Sequence, residues 1–440
     1  MRVRLTRRAA GAKLAPSPLQ DRSDADRDRP RSDTAARGKD TTINLPPEHR
    51  RKIAAYFVAS LLYWAGQYIF VPTLPAFVAA RVSTLTAVGV ILSMYGLWSA
   101  LLRIPTGVLH DTTGRSKPLL VAGFLLGSAG SIVLGQGRSV GALLLGRALT
   151  GASTATWVPV MVVAAGFFPP ERAVFATSLL ATATSVGQVL ATGSTGFLNR
   201  AGGYPLAFLV GAALVASAAA LIAITRLPSS RPAARTQVNA RSILAVFTRR
   251  DVLLPSFASA ASQFGVWSIV FAFLPLLARK AGAGDISVSL LMTANLLANT
   301  AANLYATLAV RKAAQRAHLY ASFGIFAAGA LLAGWSPTVG PMFLATALMG
   351  VANGLFYPIL LGLSIERVDL SHRTTAMGIH QAIYALGMFS GPWVGGILAD
   401  ALGMRPMFAV MAGTCVAAAG GLVAFTPRTA AAVRTGAGAG

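Results

Sequence analysis

From Ile53 to about residue 426, apolar runs of roughly 20 residues alternate with short polar breaks. A run of that length, wound as an α-helix, crosses a hydrocarbon layer ~30 Å thick. A β-barrel would show alternating strands of ~10 residues instead of continuous apolar blocks. The pattern predicts helices over 53–79, 84–109, 118–136, 140–167, 174–198 and 204–226. After a basic, Pro- and Ser-containing break it predicts 252–278, 285–310, 317–335, 338–364, 374–399 and 406–426. The expected fold is an all-α membrane protein: 12 transmembrane helices in two six-helix bundles related by a pseudo-two-fold repeat.

Composition agrees with a bilayer environment. The chain is 54% hydrophobic and 12% charged, with a mean hydropathy of +0.61. A soluble domain carries about twice that charged fraction. Residues 1–52 hold almost no large apolar side chain and are expected to be a disordered, basic cytoplasmic tail. The tail lacks the apolar core of a secretory signal, and Asp21, Asp24, Asp26, Asp28 and Asp33 argue against a transit peptide. Residues 53–226 and 252–426 form the two bundles, 227–251 a cytoplasmic linker and 427–440 a second cytoplasmic tail.

The net charge of +24 would point to nucleic acid in a soluble protein. Here the cations fall on loops. With the N-terminus inside, Arg115, Lys117, Arg172, Arg311, Lys312, Arg316, Arg367 and Arg373 join the linker arginines on the cytoplasmic side. Only Arg81, Arg138, Arg200, Arg279, Lys280 and Arg405 lie opposite. The positive-inside rule then places both termini in the cytoplasm and the protein in the cytoplasmic (inner) membrane. No nucleic-acid partner is expected; lipid and a small-molecule substrate are, with the chain acting as a monomer. Cys415 sits in an apolar run, has no partner for an intrachain disulfide and reads as a small buried side chain.

The two halves overlay at a spacing of 200: Leu74-Pro75 on Leu274-Pro275, Gly187 on Gly387, Gly196 on Gly396, Gly203 on Gly403 and Phe208 on Phe408. In the fourth helix the spacing slips to 199, laying Gly151 and Pro159 on Gly350 and Pro358. Gly and Pro in matching order matter because close helix packing and bending are hard to achieve with other residues. The polar hinge Gly107–Lys117 follows the second helix, and its Gly107, Leu109, Asp111, Gly114 and Arg115 resemble the G-x-L-x-D-x-x-G-R loop of the major facilitator superfamily. Thr112 stands where that family often has Arg. Loop, helix number and parallel repeat together make the chain resemble this superfamily over residues 53–426.

The resemblance carries implications. Gly107, Asp111, Gly114 and Arg115 would form a conformational latch, with the acid against the N-terminus of the eleventh helix near Ser371, Thr374 and Thr375, favouring an outward-open state. A carboxylate so placed gains about 0.3–1 kcal/mol. Gly107 would let two helices approach closely, and Gly114 would allow a tight reversal. Arg147, four residues before Gly151, resembles the family's fourth-helix motif; a charge in mid-membrane costs about 2.5–3.5 kcal/mol, so it is expected to serve a function or face a wet cavity unless it snorkels to the interface. The first and seventh helices line the path in the family, which makes Tyr63 and Gln67, with Gln263 and Trp267 at matching positions, the preferred cavity residues.

Two further stripes recur at helical spacing: Tyr95, Ser99 and Arg103 in the second helix, and Asn295, Asn299 and Asn303 in the eighth. They predict facing walls of one cavity or, equally, interhelical hydrogen bonds. His380 and Tyr384 in the eleventh helix complete the substrate and coupling candidates, His380 as the histidine best placed to exchange a proton. Gly387, Gly391 and Gly395 mark a close-packing face on the same helix. No carboxylate lies at mid-membrane, and the fifth helix lacks the Gly-Pro pair of the family's antiporters.

No phosphate-binding Gly-x-x-x-x-Gly-Lys and no His-Glu-x-x-His occurs, so neither an enzyme nor an ATP-driven pump is expected, and neither a cofactor nor a metal. The expected function is secondary active transport by alternating access, with export of an amphipathic compound as the leading reading. Uptake of a small organic anion clamped by Arg147 and Arg103 is the alternative, and a non-transporting membrane receptor on the same fold is a reading of another class.

Overall fold

The computed structural model describes residues 46–169, 172–228, 246–310, 314–369 and 373–425. Among these the regular structure is helical throughout, with no strand. Both tails, except for the helical turn at 47–52, and most of the linker at 227–251 fall outside them. The chain divides into two compact units, Met1–Pro46 and Pro47–Gly440, and the helices described belong to the second.

The first half contains α1 (Pro47–Tyr68), α2 (Leu74–Ala79), α3 (Leu85–Thr113), α4 (Ser116–Gln136), α5 (Val140–Thr154), α6 (Trp157–Gly166) and α7 (Ala173–Ile224). The second contains α8 (Arg250–Ser268), a π-turn at Ile269–Phe273, α9 (Leu274–Lys280), α10 (Asp285–Leu308), α11 (Gln315–Trp335), α12 (Val339–Glu366), α13 (Arg373–Leu402) and α14 (Met404–Phe425). The first helix thus starts before the expected Ile53. Nine helices among the described residues are long and apolar enough to cross a membrane. One of these, within α7, is broken at Gly202–Gly203 and makes two segments. With α1 and α10, which are of spanning length but more polar, the long helical segments among the described residues fit the twelve expected from the apolar pattern.

The breaks have local causes, and they repeat. Pro75 and Pro275 stand in the first turn of α2 and α9, where they cannot donate to the carbonyl four residues back. The chain relaxes just before each, through turns after Tyr68 and through the π-turn after Ser268. Gly203 (φ 69°) and Gly403 (φ 90°) make the other matched pair, reversing the chain in a left-handed conformation that side chains disfavour. In the fourth segment the halves differ. Ahead of Pro159 the helix opens, and Thr106 of α3 donates to the freed Ala155 carbonyl at 2.9 Å. Pro358 sits inside an unbroken α12.

Matched glycines weld matched helices. A Cβ built on Gly151 would fall 2.4 Å from the Tyr95 carbonyl oxygen, and one on Gly350 would fall 2.3 Å from that of Asn295. Outside, Phe197, Leu304 and Leu344 are more than half exposed. Such a belt would be unstable in water and suits acyl chains.

Candidate transport cavity

The halves meet tightly at one end and part toward the other. Along α3, a Cβ on Gly89 would lie 2.1 Å from the Pro392 carbonyl oxygen of α13, and one on Gly96 2.6 Å from the Phe389 nitrogen. On Gly107 it would meet nothing within 4 Å. The other seam behaves alike: Gly196 of α7 lies against Ile286 of α10 (2.4 Å), while at Gly193 the nearest atom is Thr293 Oγ1 at 3.8 Å. The close approach expected at Gly107 is therefore absent, because the two helices have already diverged there.

Polar contacts reinforce the tight end. Asp400 of α13 accepts from the Leu85 and Thr86 amides (2.9 and 2.7 Å) and from Thr86 Oγ1 (2.7 Å), at the N-terminus of α3. A carboxylate at a helix N-terminus is favoured by both the orphan amides and the dipole. Arg279 of α9 pairs with Asp285 and donates to Tyr204 Oη of the opposite half at 3.0 Å. Thr192 and Thr293 share a hydrogen bond across the same seam at 3.0 Å.

Between the diverging helices lies a cavity of about 940 Å³, counting the space open to solvent. Trp64 and Tyr68 of α1, Tyr95, Ser99 and Arg103 of α3, Trp157 of α6 and Gln188 of α7 line it from the first half. Trp267 of α8, Asn299 and Asn303 of α10, Asn353 and Tyr357 of α12, and Gln381 and Tyr384 of α13 line it from the second. No Asp or Glu is among its lining residues. Arg103 Nη1 donates to Gln381 Oε1 at 2.8 Å, tying α3 to α13, and Nη2 reaches Ser99 Oγ at 3.3 Å. Gln381 Nε2 in turn donates to Tyr357 Oη at 2.8 Å.

Toward the tight end the cavity stops at an aromatic layer. Tyr95 stacks on Trp267 across the halves (5.2 Å between centroids), and Trp267 stacks on Phe271 (4.7 Å). Behind it is a smaller pocket of about 400 Å³, lined by Gln67, Leu92, Arg147 and Pro392 as well as by the layer itself. Arg147 is 4% exposed. Its guanidinium stands 4.6 Å from the Tyr95 ring centre, and Nη2 is 3.4 Å from the Leu92 carbonyl oxygen. It turns inward to a pocket; it does not snorkel to the interface.

Of the predicted stripes, the one on α3 is brought whole into the cavity, with Asn299 and Asn303 facing it. Asn295 is not: its Nδ2 donates to the Thr346 carbonyl at 2.8 Å. From the preferred set, Trp267 reaches both pockets and Gln67 only the smaller. Tyr63 packs on Phe124 (4.1 Å) and bonds Ser153 at 2.9 Å, while Gln67 Nε2 donates to Tyr63 Oη at 3.2 Å. Gln263 donates to Asn353 Oδ1 at 3.2 Å behind the wall. The face of α1 that reaches the cavity is Trp64 and Tyr68, one residue on, and one residue turns a helix by about 100°. Tyr384 lines the cavity. His380 does not; it is fully buried, with Nδ1 3.1 Å from Ser256 Oγ of α8. Trp157, Asn353 and Tyr357 were not among the expected residues, although Asn353 and Tyr357 stand four residues apart, the spacing that marks the other stripes.

At the diverging end Gly114 caps α3 in the left-handed conformation (φ 61°), its amide donating to His110 at 2.9 Å, as the hinge pattern predicts. Arg115 follows at the start of α4. The latch contact itself lies outside the described residues: Ser371 and the side chains of Asp111 and Thr374 are not among them.

The sequence profile of the Major Facilitator Superfamily matches residues 56–284 and 256–439, two matches whose starts reproduce the internal spacing. The chain belongs to this superfamily. The nine membrane-length helices among the described residues fit this superfamily of membrane transporters. It is 32% identical to the inner membrane transport protein YajR of Escherichia coli (strain K12) over 108 residues, 24% of either chain. It is 30% identical to the multidrug resistance protein MdtG of Proteus mirabilis (strain HI4320) over 152 residues, 33% of this chain and 37% of that one. The chain thus aligns with well under two thirds of either relative. Among solved structures, a mutant of the nucleoside transporter NupG superposes with a TM-score of 0.74 at 14% identity, covering 85% of this chain and 100% of that one. At that identity the likeness is one of fold.

Proposed function

We propose that this transporter exports a small amphipathic molecule with an aromatic moiety across the cytoplasmic membrane, by alternating access about the central cavity. The observation that carries this reading is the cavity lining: aromatic faces and neutral amides around Arg103, with no acid opposite it to hold a zwitterion. Flat rings stack on Trp64, Trp157 and Trp267, while Asn299, Asn303 and Asn353 satisfy polar edges. The charge distribution of the loops supports a cytoplasmic N-terminus and diverging end, with a cavity that faces inward and loads from there. The name of MdtG, a multidrug resistance protein, supports a drug-like substrate. Membership of the superfamily supports an ion gradient as the energy source, and a protonophore tests whether protons supply it.

The test is efflux from cells lacking their main exporters, loaded with a panel of fluorescent aromatic amphipaths, with and without a protonophore. Expression should lower retention of at least one dye, and the protonophore should restore it. Unchanged retention across the panel, with uptake of an aromatic carboxylate instead, would reverse the assigned direction.

A further inference from the structure

Resting on the proposed transport cavity, we propose that the molecule it takes is an aromatic carboxylate whose acid group docks on Arg103. The first ground is charge. Arg103 lines the central cavity and Arg147 the pocket behind it, yet neither lining includes a carboxylate. Among the described residues the paired acids lie elsewhere: Glu48 with Lys52, Asp251 with Arg249, Asp285 with Arg279, and Asp400 on the N-terminus of α3. Two guanidiniums in a low-dielectric surround with no anion near them draw an anion in.

The second ground is hydrogen-bond capacity. Among the described residues, the buried polar atoms of the central cavity lacking any partner are Trp64 Nε1 and Arg103 Nε, and both are donors. The guanidinium is held by neutral acceptors alone, Gln381 Oε1 on Nη1 and Ser99 Oγ at a long 3.3 Å on Nη2. Its Nε–Nη2 edge is therefore under-used, and that edge matches a carboxylate bidentately. An ionised carboxylate offers only acceptors, so it satisfies surplus donors without adding new ones. Gln381 need not leave: it keeps Nη1 and holds the fork in place.

The third ground is the separation of roles between the arginines. Arg147 lies beyond the Tyr95–Trp267 stack, its charge turned to the Tyr95 ring. It adds positive potential behind the layer without touching what sits in the cavity. Arg103 supplies the contact, and rings of the ligand lie along Trp267 and Tyr384.

The experiment is calorimetric titration of the full-length purified protein with 2-naphthoate and with its neutral isostere 2-naphthamide. Naphthoate should bind at least about tenfold more tightly to the unaltered protein, a difference typical of one charge-assisted contact. Arg103→Gln should bring the two affinities together while still binding the amide, which shows the cavity intact. Gln381→Glu, which sets an acid beside the unaltered Arg103, should erase the preference in the same way. Equal binding to the unaltered protein, or a preference that survives both substitutions, would overturn the anion site and leave the aromatic cavity standing. Binding of neither probe would overturn both.

Discussion

The two halves share a backbone and differ in chemistry. Tyr95 and Arg147 face one another in the first half, ring to guanidinium. At the matching positions of the second half, Asn295 donates to the carbonyl of Thr346. Both pairs stand beside a glycine weld of almost the same closeness, at Gly151 and Gly350. Position 103 is Arg where position 303 is Asn, and Asp111 is answered by Arg311. Arg103 and Arg147, the arginines lining the two pockets, both belong to the first half, and the second lines the cavity with Asn299, Asn303, Asn353 and Gln381.

The sharpest way to break this contrast is to exchange one member of each matched pair. Arg147→Ala should lower transport by about 100-fold or more, because a mid-membrane charge is retained only where it serves function. Thr346→Ala should change it by less than about twofold, since only its backbone carbonyl is used and interhelical bonds of this kind average about 0.6 kcal/mol. Equal effects in a flux assay would dissolve the distinction between the halves. Next in size is Asp400→Ala, which strips three hydrogen bonds from the tight end. It should raise labelling of a cysteine at position 67 from that side several-fold; unchanged labelling would mean that the glycine welds alone keep this end shut.

Asp111→Asn comes third. It should slow the transport cycle a few-fold at normal protein levels, and an unaltered rate would remove the latch. The smallest effect should be that of His380→Gln. With its ring packed on Ser256 away from the cavity, the pH profile of transport should keep its shape; a flattened profile would bring His380 back as a proton carrier. Cys415, fully buried, leaves little background for the labelling experiments.

Most of the scaffold was legible because Gly and Pro act locally: Pro75 and Pro275 mark the breaks, and Gly203 and Gly403 the reversals, wherever the rest of the chain goes. The α3 stripe was legible too, since three polar residues on one helical face need a polar neighbour. The choice between Tyr63 and Trp64 was not. Both are amphipathic aromatics, and only the rotation of α1, set by Gly66 against Gly211 of α7, by Gly187 of α7 against Leu61 and by Phe124 against Tyr63, decides which faces the cavity. His380 misled for a related reason: polarity in an apolar helix signals a partner, and here that partner is a serine in the neighbouring helix. Gly107 would weld α3 to its neighbour only in a conformation that closes the diverging end.

If the halves rock about the cavity, one end closes as the other opens. Spin labels at Ser83 and Ala401 report the tight end, and labels at Thr112 and Gly378 the diverging end. Adding a transported ligand under an imposed proton gradient should lengthen the first distance and shorten the second. Both distances moving in the same sense, or neither moving while flux continues, would contradict the account.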